Sequence, residues 1–274
     1  DSGRRYDLMI ADMHIHSLFS TDSDTPMESM VQAAVKAGIP TICFTDHIDY
    51  DYPVKDITFE FDIGRYKEAI DALKEKYKSK ILILMGVELG LQEHLGGRYR
   101  KLVEGYPFDF IIGSQHLVGN KDPYYPETFE GRTDMEIYRE FFKETLRDIK
   151  AFHDFDSMGH LDYIVRYGRK KAADYRYRDY ADIIDEILKL LIRYNISLEL
   201  NTAGIRKQLG FPNPHPEILK RYRELGGTCV TVGSDSHKPH SLGYAFDEAA
   251  DILKDCGFTH YVYYVQRKAH FVKL

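Results

Sequence analysis

The 274-residue sequence predicts an α/β fold built on a parallel sheet, closed as a barrel or open and doubly wound. Three observations predict it. Short β-branched runs alternate with longer helical patterns almost from end to end. Capping and glycine signals separate the two kinds of segment. No GxGxxG or GxxxxGK[ST] follows the first strand, which weakens a nucleotide-binding open sheet.

In chain order, a strand over residues 9–14 leads to a helix over 27–37. Thr25-Pro26-Met27-Glu28 reads as a capping box with Pro at the first helical position, and Gly38 ends the helix. A strand at 41–45 and a helix at 63–77 follow, then strands at 81–87 and 110–114. Residues 118–132, rich in Gly, Pro and Tyr, are expected as a long loop over the barrel mouth. A helix at 135–152 opens on a second capping pattern, Thr133-Asp134-Met135-Glu136. After a strand at 157–159, another mouth loop at 166–178 carries six Arg or Lys residues. A helix at 180–194, a strand at 197–200 and a helix at 216–225 come next, the last stopped by Gly226-Gly227. A strand at 229–232 and a helix at 244–256 complete seven strands and six helices, with 261–265 as an eighth strand candidate. The chain reads as one domain over residues 9–274. Residues 1–8 are expected to be an N-terminal extension or an expression remnant, with Met9 as a natural start.

Composition narrows the function. A net charge of −6 argues against general nucleic-acid or anionic-membrane binding, which shows as a basic face. Cys43, Cys229 and Cys256 form no CxxC pair, and an odd count without a signal peptide reads as reducing cytoplasm. No apolar stretch approaches the roughly 20 residues that a membrane span requires. Oligomeric state is not legible.

The informative pattern lies at the strand ends. The first strand runs out into Asp12-Met13-His14-Ile15-His16-Ser17, and positions two apart on a strand face one side, so His14 and His16 share it. Asp22 and Asp24 follow within a few residues. The next strands end in Thr45-Asp46-His47, Gly86-Val87-Glu88, Ser114-Gln115-His116 and Gly159-His160-Leu161-Asp162. The last two end in Glu199-Leu200-Asn201 and Gly233-Ser234-Asp235-Ser236-His237. In a parallel barrel all strand C-termini share one face, where sites are assembled from several strands. Imidazole and carboxylate together suit Zn, Mn or Fe, and the set exceeds one closed four-ligand site, so two or three divalent metals are expected. A lone histidine at a strand end is more often a hydrogen-bonded core residue; chance placement of the whole set is the weaker explanation.

With these motifs in order over nearly the whole chain, the sequence resembles the PHP (polymerase and histidinol phosphatase) family, in its branch of monofunctional histidinol-phosphate phosphatases. The resemblance implies a distorted (β/α)7 barrel, TIM-barrel-like, with the metal site at the C-terminal face of the strands. It implies three neighbouring metals. One is held by His14, His16, Glu88 and Asp235, and Glu88 bridges to a second completed by His116 and His160. A third uses His47, His237 and Asp22, a position where many relatives carry His; Asp24 competes for it. Arg166 and Arg206 match positions that bind phosphate in similar phosphatases. Glu88, Asp235, Arg166 and Arg206 are thus the expected catalytic residues, and the two arginines also bind substrate.

Lys207, Arg98 and Arg169-Lys170-Lys171 are further phosphate candidates, and Tyr50 and Tyr52 could pack on a substrate ring. Asp162 and His240 are candidate proton donors to the leaving alcohol. Asp12, Asp46, Ser114 and Ser234 are expected beside the ligands. The implied reaction is hydrolysis of L-histidinol phosphate, a small phosphorylated substrate. Other readings are another small phosphate ester or nucleotide, and a PHP domain that binds metal without catalysis.

Overall fold

The computed structural model describes residues 11–274. Residues 1–8, expected as an extension, and the first two residues of the first strand run lie outside them. Eight parallel strands form one sheet: β1 (Ala11–Ile15), β2 (Thr41–Phe44), β3 (His47–Ile48), β4 (Leu82–Gly90), β5 (Phe110–Ser114), β6 (Ser157–Met158), β7 (Ser197–Asn201) and β8 (Val230–Gly233). Neighbours run β1-β2-β4-β5-β6-β7-β8, with β3 paired to the far end of β4. The nine-residue β4 pairs with β2 through Leu82–Met85 and with β3 through Glu88 and Leu89. β2 and β3 therefore act as one staggered position, broken at Thr45 and Asp46. The sheet closes where Ile15 bridges Ser236 in parallel, His16 N–H donating to Ser236 O at 2.8 Å. The result is a distorted barrel of seven positions.

Helices α1 (Met27–Ala37), α2 (Ile63–Tyr77), α3 (Gly96–Gly105), α4 (Asp134–Ala151), α5 (Ala181–Arg193), α6 (Ala203–Arg206), α7 (Pro216–Glu224) and α8 (Phe246–Asp255) follow the strands. Their apolar spacing decides which side faces the sheet. In α5, Ile183, Ile184, Ile187, Leu188 and Leu191 recur at helical spacing and are all buried. Gly38 takes the left-handed conformation (φ 75°) that ends α1, and Gly226 (φ 101°) follows α7.

Three expectations are corrected. The run at 261–265 is a strand, but β9 (His260–Val265) pairs antiparallel with β10 (Lys268–Lys273) and stays out of the barrel wall. Gln266 and Arg267, both at positive φ, make the two-residue turn that reverses the chain. Val262 and Tyr264 pack with Ala11, Met13, Cys43, Leu84, Phe110 and Ile112, so the hairpin plugs the N-terminal end of the barrel. The capping box at Thr25 is absent, because Thr25 Oγ1 donates instead to His237 O at 2.8 Å, tying the loop after β1 to the loop after β8. The box at Thr133 forms as read. Finally, α3 was missed; glycines at both its ends disguise it. At Gly96 a Cβ would lie 3.1 Å from Ala151 O, a tight approach to the end of α4.

Candidate metal centre

The inward faces of the strands carry the barrel's contents in layers. Apolar side chains fill the plugged end, and acids and imidazoles occupy the other. The register of β1 against β2 breaks between Asp12 and Ile15. Met13 can thus stay with the lower apolar layer while His14 and His16 both turn into the site, their rings 5.1 Å apart.

Glu88, fully buried at the end of β4, is the hub. Its Oε2 lies 3.0 Å from His14 Nε2, 3.4 Å from His16 Nε2 and 3.1 Å from His47 Nδ1. Its Oε1 lies 3.1 Å from His116 Nε2 and 3.0 Å from His160 Nε2. Asp235, at φ 51° just past β8, sets Oδ1 3.4 Å from His16 Nε2 and 3.8 Å from His14 Nε2. His237 stacks on His16 at 4.1 Å, and its Nε2 is 3.2 Å from Asp22 Oδ2. Asp22 also lies 3.7 Å from His47 Nε2. Asp24 points elsewhere, to an exposed ion pair with Lys238, so geometry favours Asp22 of the two.

All nine residues expected as ligands are therefore brought to one mouth. Overlapping triads of them present ligand atoms within 4.8 Å of one another, among them His14/His16/Glu88, Glu88/His116/His160 and His16/His47/His237. Hydrogen bonding within the protein leaves this cluster unsatisfied. Among the described residues, His16 Nε2, His47 Nδ1 and His160 Nδ1 are buried with no hydrogen-bond partner, a costly state unless a cation completes it.

The outward nitrogens explain how the inward ones are prepared. His14 Nδ1 lies 2.5 Å from Glu199 Oε1, and His116 Nδ1 lies 2.6 Å from Asp49 Oδ1. His237 Nδ1 meets Asp235 O at 3.2 Å. These oxygens only accept, so each Nδ1 donates its proton outward and each Nε2 is turned toward the centre. Ser20 Oγ donates to Asp46 Oδ1 at 2.7 Å and so accepts from His16 Nδ1 at 2.9 Å. Burial and the neighbouring His237 and His47 push His16 down to about 3, which keeps it neutral. Burial works against charge on Glu88, yet His14, His47 and His116 hold its carboxyl well below the usual range. Imidazoles gathered around ionised carboxylates are a donor set that suits Zn, Fe or Mn.

The orienting groups Glu199, Asp49 and Ser20 were not singled out from sequence. Glu199 faces inward with Asn201, two positions on along β7, and Asp49 stands two past His47; that spacing was the available signal. Asp12 and Asp46, expected beside the ligands, brace loops. Asp12 accepts from Ser234 N–H, Ser234 Oγ and Gly243 N–H, and Asp46 from both Ser17 and Ser20. Ser114 is buried, with no partner for its hydroxyl among the described residues.

Arg166 is buried at the rim. Its Nε donates to Asn213 Oδ1 (2.8 Å), and its two terminal nitrogens donate to Asp235 Oδ2 (3.1 Å) and Asn201 Oδ1 (3.0 Å). Arg206 donates to the carbonyls of Ser234 (2.8 Å) and Asp235 (3.0 Å). Both arginines and Lys207 line a cavity of about 120 Å³ together with His47, His116, His160, Asp235 and His237. Asp22, Tyr163, Tyr167 and Lys207 also line a larger hollow of about 420 Å³ that continues from it. Tyr52 belongs to that hollow; Tyr50 instead stacks on Tyr99 beneath Arg98. Arg98 pairs with Asp51 and Glu60, and the Arg169-Lys170-Lys171 run lines a separate pocket with Tyr138 and Tyr180. Asp162 turns away from the cavity to Asn213 and His215, and His240 is absent from its lining, so neither is placed to protonate a leaving group there.

A closed parallel barrel that gathers imidazoles and carboxylates from its strand ends, beside buried arginine, defines a class: the barrel proteins with a metal-type centre at the strand C-termini. The chain belongs to the PHP domain family, whose model matches residues 12–203. It is 37% identical to a probable histidinol-phosphatase of Clostridium acetobutylicum, over 90% of this chain and 94% of the relative. It is 31% identical to the histidinol-phosphatase of Lactococcus lactis, over 90% and 91%. The crystal structure of the Lactococcus lactis histidinol phosphate phosphatase, complexed with zinc, L-histidinol and phosphate, matches with a TM-score of 0.87 at 30% identity. That match covers 96% of this chain and 99% of the other. No helix among the described residues is long and apolar enough to cross a membrane.

Proposed function

We propose that this chain hydrolyses L-histidinol phosphate to L-histidinol and phosphate, as a step of histidine biosynthesis in the cytoplasm. The observation that carries the reading is the cavity of about 120 Å³, lined both by metal-competent side chains and by Arg166, Arg206 and Lys207. It has the polarity a phosphate dianion requires, and it opens into an aromatic hollow with room for the rest of the ester. The Lactococcus lactis relative, complexed with zinc, L-histidinol and phosphate, supports the same assignment.

Two or three divalent ions would be held by His14, His16, Glu88 and Asp235, by Glu88, His116 and His160, and by His47, His237 and Asp22. Such ions lower the pKa of a coordinated water and offset charge on phosphate oxygens. The chain's own contributions follow from the contacts. Arg166 has five N–H donors and spends three on Asn213, Asp235 and Asn201, which fixes the guanidinium plane and leaves the others for phosphate oxygens. Arg206, anchored on two carbonyls, and Lys207 add positive charge at the same wall, where it is worth most as charge builds on the non-bridging oxygens. Glu199, Asp49 and Ser20 hold three imidazoles in one tautomer, so no reorientation precedes the reaction.

The test is phosphate release by metal-loaded protein on L-histidinol phosphate, set beside other phosphomonoesters and a phosphodiester. A kcat/KM for L-histidinol phosphate at least about 100-fold above the others is expected, a preference of about 2.7 kcal/mol or more. Turnover of the panel with L-histidinol phosphate among the poorest would overturn the substrate and leave a phosphoesterase.

A further inference from the structure

The larger hollow is lined by three carboxylates, Asp22, Asp49 and Asp122. Two are matched by imidazoles. Asp22 faces His237 and His47, and Asp49 meets His116 and His47. Asp122 differs. Among the described residues no cationic side chain forms an ion pair with it; its Oδ2 accepts from the Tyr52 hydroxyl and its Oδ1 from Tyr124 N–H at 2.7 Å. Both donors are neutral, so its negative charge is hydrogen-bonded but not neutralised.

The surroundings sharpen the point. Tyr52, Phe59, Tyr124, Tyr125, Tyr163 and Tyr167 supply the aromatic wall of the same hollow. Tyr52 meets Phe59 edge-on at 4.8 Å, and Tyr124 meets Tyr125 at 5.2 Å. Burial and the bond to Asp122 push the Tyr52 phenol well above its ordinary range, so it stays a donor. Asp122 is also fixed in place. Val118 and Lys121 exchange backbone hydrogen bonds just before it, and Thr128 Oγ1 donates to its carbonyl at 2.7 Å. An unneutralised carboxylate set among aromatic faces is a receptor for an organic cation, by charge-assisted hydrogen bonding and by cation–π attraction.

We propose that Asp122 is a specificity-determining residue: it receives a cationic group, ammonium or imidazolium, of the ester whose phosphate occupies the smaller cavity. This rests on the phosphatase reading above and adds to it the reason a cationic phosphomonoester is preferred to a neutral one. Asp122→Asn is the informative variant, since an amide oxygen still accepts from Tyr124 N–H and the side chain keeps its shape while losing the charge.

The measurement is kcat/KM of wild type and D122N on L-histidinol phosphate, on its des-amino analogue 3-(imidazol-4-yl)propyl phosphate, and on p-nitrophenyl phosphate. The ratio of L-histidinol phosphate to p-nitrophenyl phosphate is expected to fall about 10- to 100-fold in D122N, mainly through KM, the loss that a hydrogen bond to a charged group brings. If the ammonium is the contact, the des-amino ester loses little; if the imidazolium is, it loses as much. An unchanged ratio, whatever the absolute rates, would overturn the proposal, because a merely structural role slows all esters together. Should D122N fail to fold, Y52F carries the test, with a fall of a few-fold in the same ratio expected. A wild type that splits p-nitrophenyl phosphate but not L-histidinol phosphate would overturn the substrate reading separately. Asp122 would then fall too if D122N kept the wild-type preference between 2-aminopropyl phosphate and propyl phosphate.

Discussion

Asn213 shows how the site is held one residue at a time. It donates to Asp162 Oδ1 at 2.6 Å through its amide nitrogen and accepts from Arg166 Nε at 2.8 Å through its oxygen. Asp162, read from sequence as a possible acid, is thus a positioning residue two contacts from the cavity. N213A is expected to raise KM for the phosphate ester roughly 10-fold, since freeing a guanidinium from one charged-group hydrogen bond costs on the order of 1.5 kcal/mol. Metal content, read by emission spectroscopy, should stay at the wild-type level. Glu88→Gln is expected to abolish turnover and metal loading together, and an active variant with full metal content would break the proposed ligand set. At this scale the candidate ligands other than Asp22 were legible because each stands at or just past the end of a strand run in a short motif. Glu199, Asp49 and Asn213 were not, because an orienting residue is defined by the atom it touches, and Asn213 sits in a loop far along the chain from Arg166.

Among the elements, α4 carries two tests. Its capping box joins Thr133 and Glu136 reciprocally, so Thr133→Ala should lower stability by about 1 kcal/mol in denaturant unfolding. Glu144, on the same helix, accepts from Gly119 N–H at the start of the mouth loop. Burial raises its carboxyl from 4.5 to about 7, with Glu140 and Asp148 adding to the rise. The folded chain thus holds this proton more tightly than the unfolded one. The resulting stabilisation is fully present below about 4.5 and is lost as pH climbs through about 7. Wild type should therefore lose more thermal stability between pH 5 and 8 than E144Q; equal slopes would remove Glu144 as the cause. Long periodic helices and aliphatic strands were readable in advance. The two-residue β3 was not, because strand pairing with β4 rather than any local pattern defines it. The Thr25 box failed for the opposite reason: the local pattern was present, and a tertiary acceptor, His237 O, captured the hydroxyl.

For the whole molecule, the strand–helix alternation made a parallel sheet legible, whereas closure rests on contacts between chain ends. The bridge between Ile15 and Ser236, and the hairpin whose Val262 and Tyr264 fill the barrel floor, join segments over 200 residues apart. Such pairings leave no local mark, and the hairpin's β-rich first strand reads like one more wall strand. The centre draws ligands from β1, β3, β4 and the segments after β5, β6 and β8, so bound metal should staple the open mouth. Chelation is expected to lower the thermal midpoint by about 5–10 °C. That is the shift for about 2.7 kcal/mol of ligand stabilisation at 100 times Kd in a chain of this size.

Metal dependence of the phosphatase is the central claim, and one titration tests it most directly. Protein stripped by chelator is assayed for phosphate release from L-histidinol phosphate while Zn²⁺ is added back and bound metal is counted. The account predicts negligible release from the stripped protein and a rise that tracks binding and saturates at two or three ions per chain. Full activity in metal-free protein, or stoichiometric metal uptake without any activity on a phosphomonoester, would contradict it.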